Sequence, residues 1–347
     1  MVLVFSIGHF TVPVIETPGG DIIADSTEIM EFFENRYPEP RVMPGDKTMA
    51  VLAWLIHSYG SEGLHKPAMY FRWNTTRENR LFIIDKFSRS METKSVREEA
   101  EVTAGKKFAH EMRSKYLPVL GICLEHDVNT AIHTSTEKLY DVLHAHFLEY
   151  PYILGGRPSF ADFGMMAPLY AHLGRDISSN NDLKRRAPAL YPWIETMNRH
   201  GIVDPEVWHL EPEYFEVSKL PETLTALLRL ICADYVPEIL ATANLYHEWL
   251  GAVADRPAGT VIAFDEAKAN HQVLGEIEHV QQGVPIKRMG MLDALTHHQR
   301  VTAIIDNMNE KEHQTCQGIL QAAGGDEIFS LRLERPMVRD NYAYVLV

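Results

Sequence analysis

The chain has 347 residues and a formal net charge of −14, from 47 acidic and 33 basic side chains. This acidic excess disfavours nucleic acid and anionic membrane surfaces as partners, because both would repel the protein. The length predicts two or three domains, and an apolar content of 46% is ordinary for a soluble globular protein. No apolar run is long enough to span a bilayer, and no segment has the pattern of a signal peptide.

The cysteines and histidines give no sign of a metal site. Cys123, Cys232 and Cys316 are far apart and form no CxxC pattern, which favours a reducing, cytoplasmic setting. Each cysteine is more simply interpreted as a small buried hydrophobe than as a nucleophile. The 17 histidines are scattered and lack a spacing such as HExxH, so the sequence predicts no metal.

The segment from Thr11 to Phe33 predicts a β-hairpin followed by a helix. β-Branched residues stand on both sides of Pro18-Gly19-Gly20-Asp21, in which the proline sets φ for a turn and the glycines permit positive φ. Asp25 and Ser26 stand at the predicted helix start, where side-chain oxygens can accept from unpaired N–H groups. Tyr37, before a proline, is biased away from the α region and ends the helix.

The next stretch predicts a linker and then consecutive helices. Residues 38–46 are rich in proline and predict an extended linker. Apolar residues at helical spacing follow in residues 47–59, 95–116 and 130–150. Helices that succeed one another without intervening strands indicate an all-α domain.

A second motif lies in residues 152–176, where a loop precedes a capped helix. Gly155 and Gly156 predict the loop, and Ser159 and Asp162 have the spacing of a capping box. In such a box the two side chains satisfy each other's backbone N–H groups at the helix start. The pattern predicts a structural role for both residues and a helix with one apolar face behind them.

Residues 211–347 carry no motif and predict a helical extension. Helices are expected over residues 221–254, with a break at Pro237, and over residues 292–308. Residues 328–333 alternate in hydrophobicity, which predicts a short strand. The apolar C-terminal residues are expected to dock on the protein, since free tails are polar.

The two motifs together resemble the glutathione transferases. Val12-Pro13 followed by Asp25-Ser26 is similar to the second half of the thioredoxin-like domain of that family. The run from Gly155 to Asp162 is similar to the "G-x-x-x-S-x-A-D" start of its long C-terminal helix. The resemblance implies a mainly α fold with a small α/β part. Its expected parts are a partial thioredoxin-like domain (1–38), a linker (39–46), an all-helical domain (47–210) and an extension of unknown role (211–347).

The resemblance also implies two ligand sites. In the family, the residue before a cis-proline pairs through its backbone with the cysteinyl part of glutathione, and the acidic residue and serine at the helix start bind its γ-glutamyl end. The matching positions are Val12, Pro13, Asp25 and Ser26. The first helices after the linker wall an apolar second-substrate pocket in the family, which makes Tyr59, Tyr70, Arg72 and Trp73 its candidates here. A plain aromatic core stripe with a solvated arginine is the alternative interpretation of those four residues.

Glutathione-dependent conjugation of a small electrophile, or related thiol chemistry, is the activity that the resemblance implies. A free thiol has a pKa near about 8.5, so such an enzyme must stabilise the thiolate. In the family the stabilising donor comes from a strand–helix–strand unit before the proline. Only ten residues precede Thr11, whereas a βαβ crossover needs about 30.

No catalytic residue is therefore assigned, and whether the chain is an enzyme stays open. Ser6, His9 and Tyr59 are the first donors to test. The alternative is a non-catalytic glutathione-transferase-like protein that binds or scaffolds. The expected partners are glutathione, a small apolar electrophile and a second copy of the chain in a cytoplasmic homodimer, with no metal, nucleic acid or membrane.

Overall fold

The computed structural model describes residues 13–37, 39–73, 77–91, 99–122, 126–199, 211–263, 272–340 and 343–347. Within these ranges the protein is mainly helical, with three two-stranded antiparallel sheets. Among the residues singled out above, Ser6, His9, Thr11, Val12, Pro38 and Cys123 lie outside the described residues. No helix within the described part is both long enough and apolar enough to cross a membrane.

The predicted hairpin and helix at the start of the chain are confirmed. Strands β1 (Val14–Glu16) and β2 (Ile22–Ala24) pair antiparallel. The turn between them includes Gly20 at a φ of 91°, a conformation that suits a residue without a Cβ. Helix α1 (Ser26–Arg36) follows directly, so the hairpin and the helix start form one compact unit.

Consecutive helices occupy the middle of the chain, as predicted. They are α2 (Lys47–Ser58), a π-helical turn (Tyr59–Gly63), α3 (His65–Trp73), α4 (Arg77–Met91), α5 (Glu99–Val119), α6 (His126–Phe147), α7 (Phe160–Pro168), a second π-helical turn (Leu169–Leu173), α8 (Ile177–Arg186) and α9 (Leu190–Met197). Helix α2 is buried almost throughout. It continues into its π turn against α7, where a Cβ on Gly60 would lie 2.4 Å from the carbonyl carbon of Gly164. Only a glycine permits that approach.

The last part of the chain contains helices and two further hairpins. Its elements are a 3₁₀ turn (Val217–Lys219), α10 (Glu222–Asp234), α11 (Val236–Gly251), β3 (Val273–Gln281), β4 (Val284–Met291), α12 (Leu292–Asp306), α13 (Glu310–Ala322), α14 (Asp326–Ser330), β5 (Met337–Asp340) and β6 (Ala343–Leu346). The extension predicted as helical is therefore partly β. The predicted strand at residues 328–333 is wrong, because its first residues form the end of α14. The C-terminal residues do dock, with Tyr344 and Leu346 buried.

The extension shares one hydrophobic core with the helical part. Buried residues of α2 and α7, such as Leu52 and Phe160, belong to the same cluster as Leu295 of α12 and Tyr344 of β6. Helix α12 packs against α2, and α11 packs against β3. The two C-terminal hairpins are therefore fixed relative to the helical part, and this packing brings β5 to the start of α1.

Candidate functional site

The start of α1 is shaped by Asp25, which is a left-handed, non-glycine N-cap. Asp25 has a φ of 86°, and its Oδ1 accepts a hydrogen bond of 2.8 Å from the backbone N–H of Thr27. Its own backbone N–H donates to the carbonyl of Pro13 at 3.2 Å. Ser26 is exposed at the first helical position. Free N–H groups and the positive end of the helix dipole favour an anion at such a place.

An arginine from the C-terminal hairpin reaches the same helix start. Arg339 Nη1 lies 3.2 Å from Asp25 Oδ2, and Arg339 Nη2 lies 2.6 Å from Asp293 Oδ1. The Tyr344 hydroxyl donates to that same Asp293 oxygen at 2.7 Å. Burial raises the pKa of Asp293, although the Arg339 charge works against the rise. The guanidinium thus links a half-exposed carboxyl at α1 to a buried one at the start of α12.

A third carboxyl, from Glu62 in the π turn after α2, belongs to this electrostatic environment. Burial raises the pKa of Glu62 well above its ordinary value, and the negative charges of Asp293 and Asp25 add to the rise. The positive charges of Arg288 and Arg339 lower this pKa in part. The Glu62 carboxyl is therefore protonated more easily than a solvated one.

The buried His57 of α2 connects the start of α1 to the core. His57 Nδ1 lies 3.2 Å from the carbonyl oxygen of Phe160, which can only accept, so this nitrogen carries the proton. His57 Nε2 is then the acceptor for the Thr27 hydroxyl, 3.0 Å away. Burial lowers the pKa of His57 to about 4, so the ring is neutral at pH 7. The bond joins α1 to α2 and α7.

The outer face of α1 is bound to the extension by a second arginine. Arg300 Nη2 of α12 lies 2.8 Å from Glu28 Oε1 and 2.7 Å from Glu31 Oε2. Sequence reasoning missed both Arg300 and Arg339, since they lie more than 260 residues from their partners on α1. Only the packing of α12 and β5 brings them there.

The four residues proposed for a second pocket do not lie in one group. Tyr59 is 4% exposed and belongs to the main core, whereas Tyr70 and Trp73 pack on a separate small cluster. Arg72 is not solvated, because its Nε and Nη2 donate to the two carboxylate oxygens of Asp176 at 2.9 and 3.0 Å. A groove of about 350 Å³ lies nearby, lined by Phe71, His133, Thr136, Glu137, Tyr140, Asp182, Arg185 and Arg186. The pocket itself stays a prediction.

The described part of the chain brings together few potential metal ligands. No group of three or more histidine, cysteine, aspartate or glutamate side chains there could hold a metal ion. The described cysteines, Cys232 and Cys316, are free and buried, and burial raises the pKa of each thiol to about 12. Neither thiol forms a thiolate easily.

Comparison with known proteins identifies the start of the chain. Residues 4–41 match the model of the glutathione S-transferase N-terminal domain. No curated protein and no solved structure matches the chain significantly. The matched segment contains the β1–β2 hairpin, Pro13, Asp25 and Ser26, and the helices that follow it are consistent with the C-terminal domain of the same family. Residues 4–41 are therefore similar to the N-terminal domain of the glutathione S-transferases.

Proposed function

We propose that the chain binds glutathione by its γ-glutamyl end at the start of α1. The observation that carries this proposal is an exposed Ser26 at a helix N-terminus within the matched segment. Its hydroxyl and backbone N–H can donate to the glutamyl carboxylate, which the helix dipole also favours. Asp25 offers the carboxylate for the glutamyl ammonium. Pro13 and the backbone of Val12 are the proposed partners of the cysteinyl part.

The activity that fits such a site is glutathione-dependent conjugation, or related thiol chemistry, on a small apolar electrophile. Attack by the thiolate requires a donor or a positive field near the sulfur. The catalytic residue is not assigned. The proposed surroundings of the electrophile remain Tyr59, Tyr70, Arg72 and Trp73. These four residues do not lie in one group.

A non-catalytic binding protein is the second candidate, because none of the proposed ligand residues Val12, Pro13, Asp25 and Ser26 can stabilise a thiolate. Arg339 also pairs with Asp25 already. A glutamyl ammonium must compete with a guanidinium that is already in place. We therefore expect weak glutathione binding and little or no conjugation. A role of this kind needs the ligand site but no stabilised thiolate.

Titration calorimetry with glutathione tests the binding site. We expect the wild type to release measurable heat and S26A to bind at least about tenfold more weakly, because a donor to a carboxylate is lost. S218A, which changes an exposed serine of the 3₁₀ turn, is the matched control and should bind like the wild type. No heat from the wild type, or equal affinities of wild type and S26A, rejects the site.

A conjugation assay with an aryl halide separates the two candidate functions. Turnover well above the uncatalysed rate would establish the enzyme and reject the binding protein. Variants S6A, H9A and Y59F would then locate the donor, as the one that lowers kcat without lowering glutathione affinity. We further propose that the protein is a cytoplasmic homodimer, by analogy with the family.

A further inference from the structure

The groove of about 350 Å³ between helices α3, α6 and α8 is a place that the proposed function does not use. Its lining includes Phe71 of α3, Tyr140 of α6 and Asp182 of α8. None of the described residues proposed above for glutathione or for the electrophile lines it. Its volume lies within the range of small-molecule pockets, and it has both ring surface and charged groups.

Tyr140 brings an unpaired polar group to this groove. The residue is 2% exposed, and its buried hydroxyl has no hydrogen-bond partner among the described residues. Burial raises the pKa of Tyr140, and the negative charge of Asp182 adds to the rise. Because that charge acts on the hydroxyl, the hydroxyl end of the ring points towards the α8 wall of the groove. A buried hydroxyl without a partner costs free energy, so a ligand group that bonds to it is favoured.

The charged groups at the groove leave an excess of negative charge. Arg186 donates to Asp141 through Nε and Nη2, both at 2.7 Å, and to Glu137 Oε1 through Nη1 at 2.6 Å. Arg185 pairs with Asp182. Three carboxylates therefore share two guanidiniums, and one negative charge lacks an arginine partner.

Glu137 keeps one carboxylate oxygen for a ligand. Its Oε2 lies 3.8 Å from His133 Nδ1, which is beyond hydrogen-bond distance. Glu137 and Tyr140 are three positions apart on α6, so their side chains lie on the same face of the helix. Phe71 and His133 add ring surface beside them, with centres 5.6 Å apart. A carboxylate oxygen, a phenol oxygen and aromatic rings all attract an ammonium group.

We propose that this groove binds a small organic amine, whose ammonium group lies between Glu137 and the Tyr140 hydroxyl and whose apolar body packs on Phe71. The ammonium donates to both oxygens, and its charge compensates the unpaired carboxylate. A ligand with a carboxylate in place of the ammonium is repelled by the same excess charge. The inference does not depend on glutathione binding at α1, because the two sites share no residue.

Two probes of the same shape and opposite charge test the inference. 2-Phenylethylamine and 3-phenylpropanoate are titrated into the wild type, E137Q, Y140F and the control E222Q by saturation-transfer NMR. Glu222 also pairs with an arginine, Arg229, but at the surface away from the groove. The wild type and E222Q should bind the amine and not the carboxylate. Amine affinity should fall about tenfold in E137Q, which loses the charge, and about fivefold in Y140F, which loses one acceptor.

Several results would overturn the proposal. These are no binding of the amine by the wild type, an affinity of E137Q or Y140F equal to that of the wild type, and equal or tighter binding of 3-phenylpropanoate. The Glu137 side chain is 39% exposed, so E137Q is expected to fold and keeps the test decisive if Y140F does not fold.

Thermal melts without ligand distinguish a ligand contact from a structural role of Tyr140. Tyr246 is the matched control, because its hydroxyl donates to the carbonyl of Arg335 at 2.9 Å. Y140F removes an unpaired hydroxyl and should keep or raise the Tm, whereas Y246F breaks a hydrogen bond and should lower it. A Tm of Y140F that falls as far as that of Y246F would show that the Tyr140 hydroxyl is already bonded, and would overturn the proposal.

Discussion

Asp162 shows how one buried carboxylate can organise a helix start. It is 0% exposed, and it accepts from the backbone N–H and hydroxyl of Ser159 at 2.9 and 2.6 Å. It also accepts from the backbone N–H of Ile153 and from Trp193 Nε1, each at 3.0 Å. Burial raises the pKa of Asp162, and these four donors oppose the rise. One side chain therefore joins the loop before α7 to α9.

Replacing Asp162 with alanine should destabilise the protein strongly. Several buried donors would lose their acceptor, and each such loss costs about 1–3 kcal/mol, so we expect a total of about 3 kcal/mol or more. Urea unfolding of D162A measures the loss. D306A, which breaks the surface pair with Arg332, is the control and should cost less than about 1 kcal/mol. Equal midpoints for D162A and the wild type would contradict this structural role.

Local patterns predict residue-scale contacts only where both partners lie in one motif. The Ser159–Asp162 spacing was sufficient to predict their reciprocal contact at the helix start. The bond from Trp193 spans 31 positions and depends on how α9 crosses α7. The pairing of Arg339 with Asp25 could not be predicted for the same reason. Hydrophobic periodicity in a sequence carries no information about contacts that tertiary packing creates.

Between elements, a buried ionic network fixes the β3–β4 hairpin to the helices. Glu238 of α11 lies 2.7 Å from Arg288 Nη1 of β4 and 3.5 Å from Lys66 Nζ of α3. Lys66 also donates to Gln281 of β3 at 2.8 Å. Burial lowers the pKa of Lys66 to about 8, although the Glu238 charge works against that shift. One carboxylate therefore compensates two buried cations.

Glu238→Gln should be one of the most damaging conservative substitutions in the chain. It would leave Lys66 and Arg288 buried without a negative partner, and breaking a buried pair from one side costs about 3–5 kcal/mol. E248Q changes an exposed glutamate on the same helix and should leave stability within about 0.5 kcal/mol. Chemical denaturation compares the two variants. A loss in E238Q no larger than that in E248Q would show that the network contributes little.

The ion pairs between Arg300 of α12 and helix α1 lead to a second prediction at this scale. R300M removes the pairs with Glu28 and Glu31 and should loosen the contact of α1 with α12. Hydrogen exchange in residues 26–36 should accelerate, since the helix would open without global unfolding. R332M removes a comparable pair elsewhere in the extension and should leave exchange in α1 unchanged. Unchanged protection in R300M would mean that apolar packing alone holds the helix.

The β3–β4 hairpin is an element that the sequence could have revealed. Its first strand alternates between buried and exposed positions, and Gln282 and Gly283 form the connecting turn with φ values of 52° and 78°. Two successive positive φ values are typical of a tight hairpin turn, but glutamine is less characteristic there than asparagine. The predicted strand at residues 328–333 failed for the opposite reason, because a short alternating run does not exclude one helical turn.

At the scale of the whole molecule, buried histidines make stability depend on pH. Burial lowers the pKa of His57, His146, His279 and His298 from 6.5 to about 4. Between those two values the unfolded chain binds more protons than the folded one. The contribution of these residues is therefore complete above about pH 6.5 and is lost as the pH falls towards 4. Thermal melts should show Tm falling through this range.

A pair of variants isolates the histidine contribution. H146Q removes one buried imidazole, so the loss of stability from pH 7 to pH 5 should be smaller than in the wild type. H126Q changes a histidine that is 92% exposed and should keep the wild-type slope. The buried carboxyls of Glu62 and Asp293 act in the opposite sense, because their pKa is raised, but they are the same in both variants. Identical slopes in H146Q and H126Q would contradict the assignment.

The proposed homodimer has a candidate surface on the matched N-terminal segment. Ile22 of β2, Phe33 of α1 and Tyr37 are 39%, 44% and 57% exposed, and the last two rings stack at 6.0 Å. Phe33 and Tyr37 are thus neighbouring exposed apolar side chains, which are typical of an interaction site. In the described part the β1–β2 sheet has only two strands, so a partner could also cover an open edge. A two-fold dimer through Phe33 and Tyr37 would cover exposed apolar surface on both copies.

Light scattering of the wild type and of F33E tests the dimer. One chain has a mass of 39.5 kDa, so we expect about twice that value for the wild type. F33E places a charge in the proposed interface and should give the mass of a single chain, while a thermal melt checks that the variant is folded. L148E, at a leucine that is 65% exposed after α6, is the control and should remain dimeric. A wild-type mass of one chain rejects the dimer. If F33E is still dimeric, the dimer forms through a different surface of the protein.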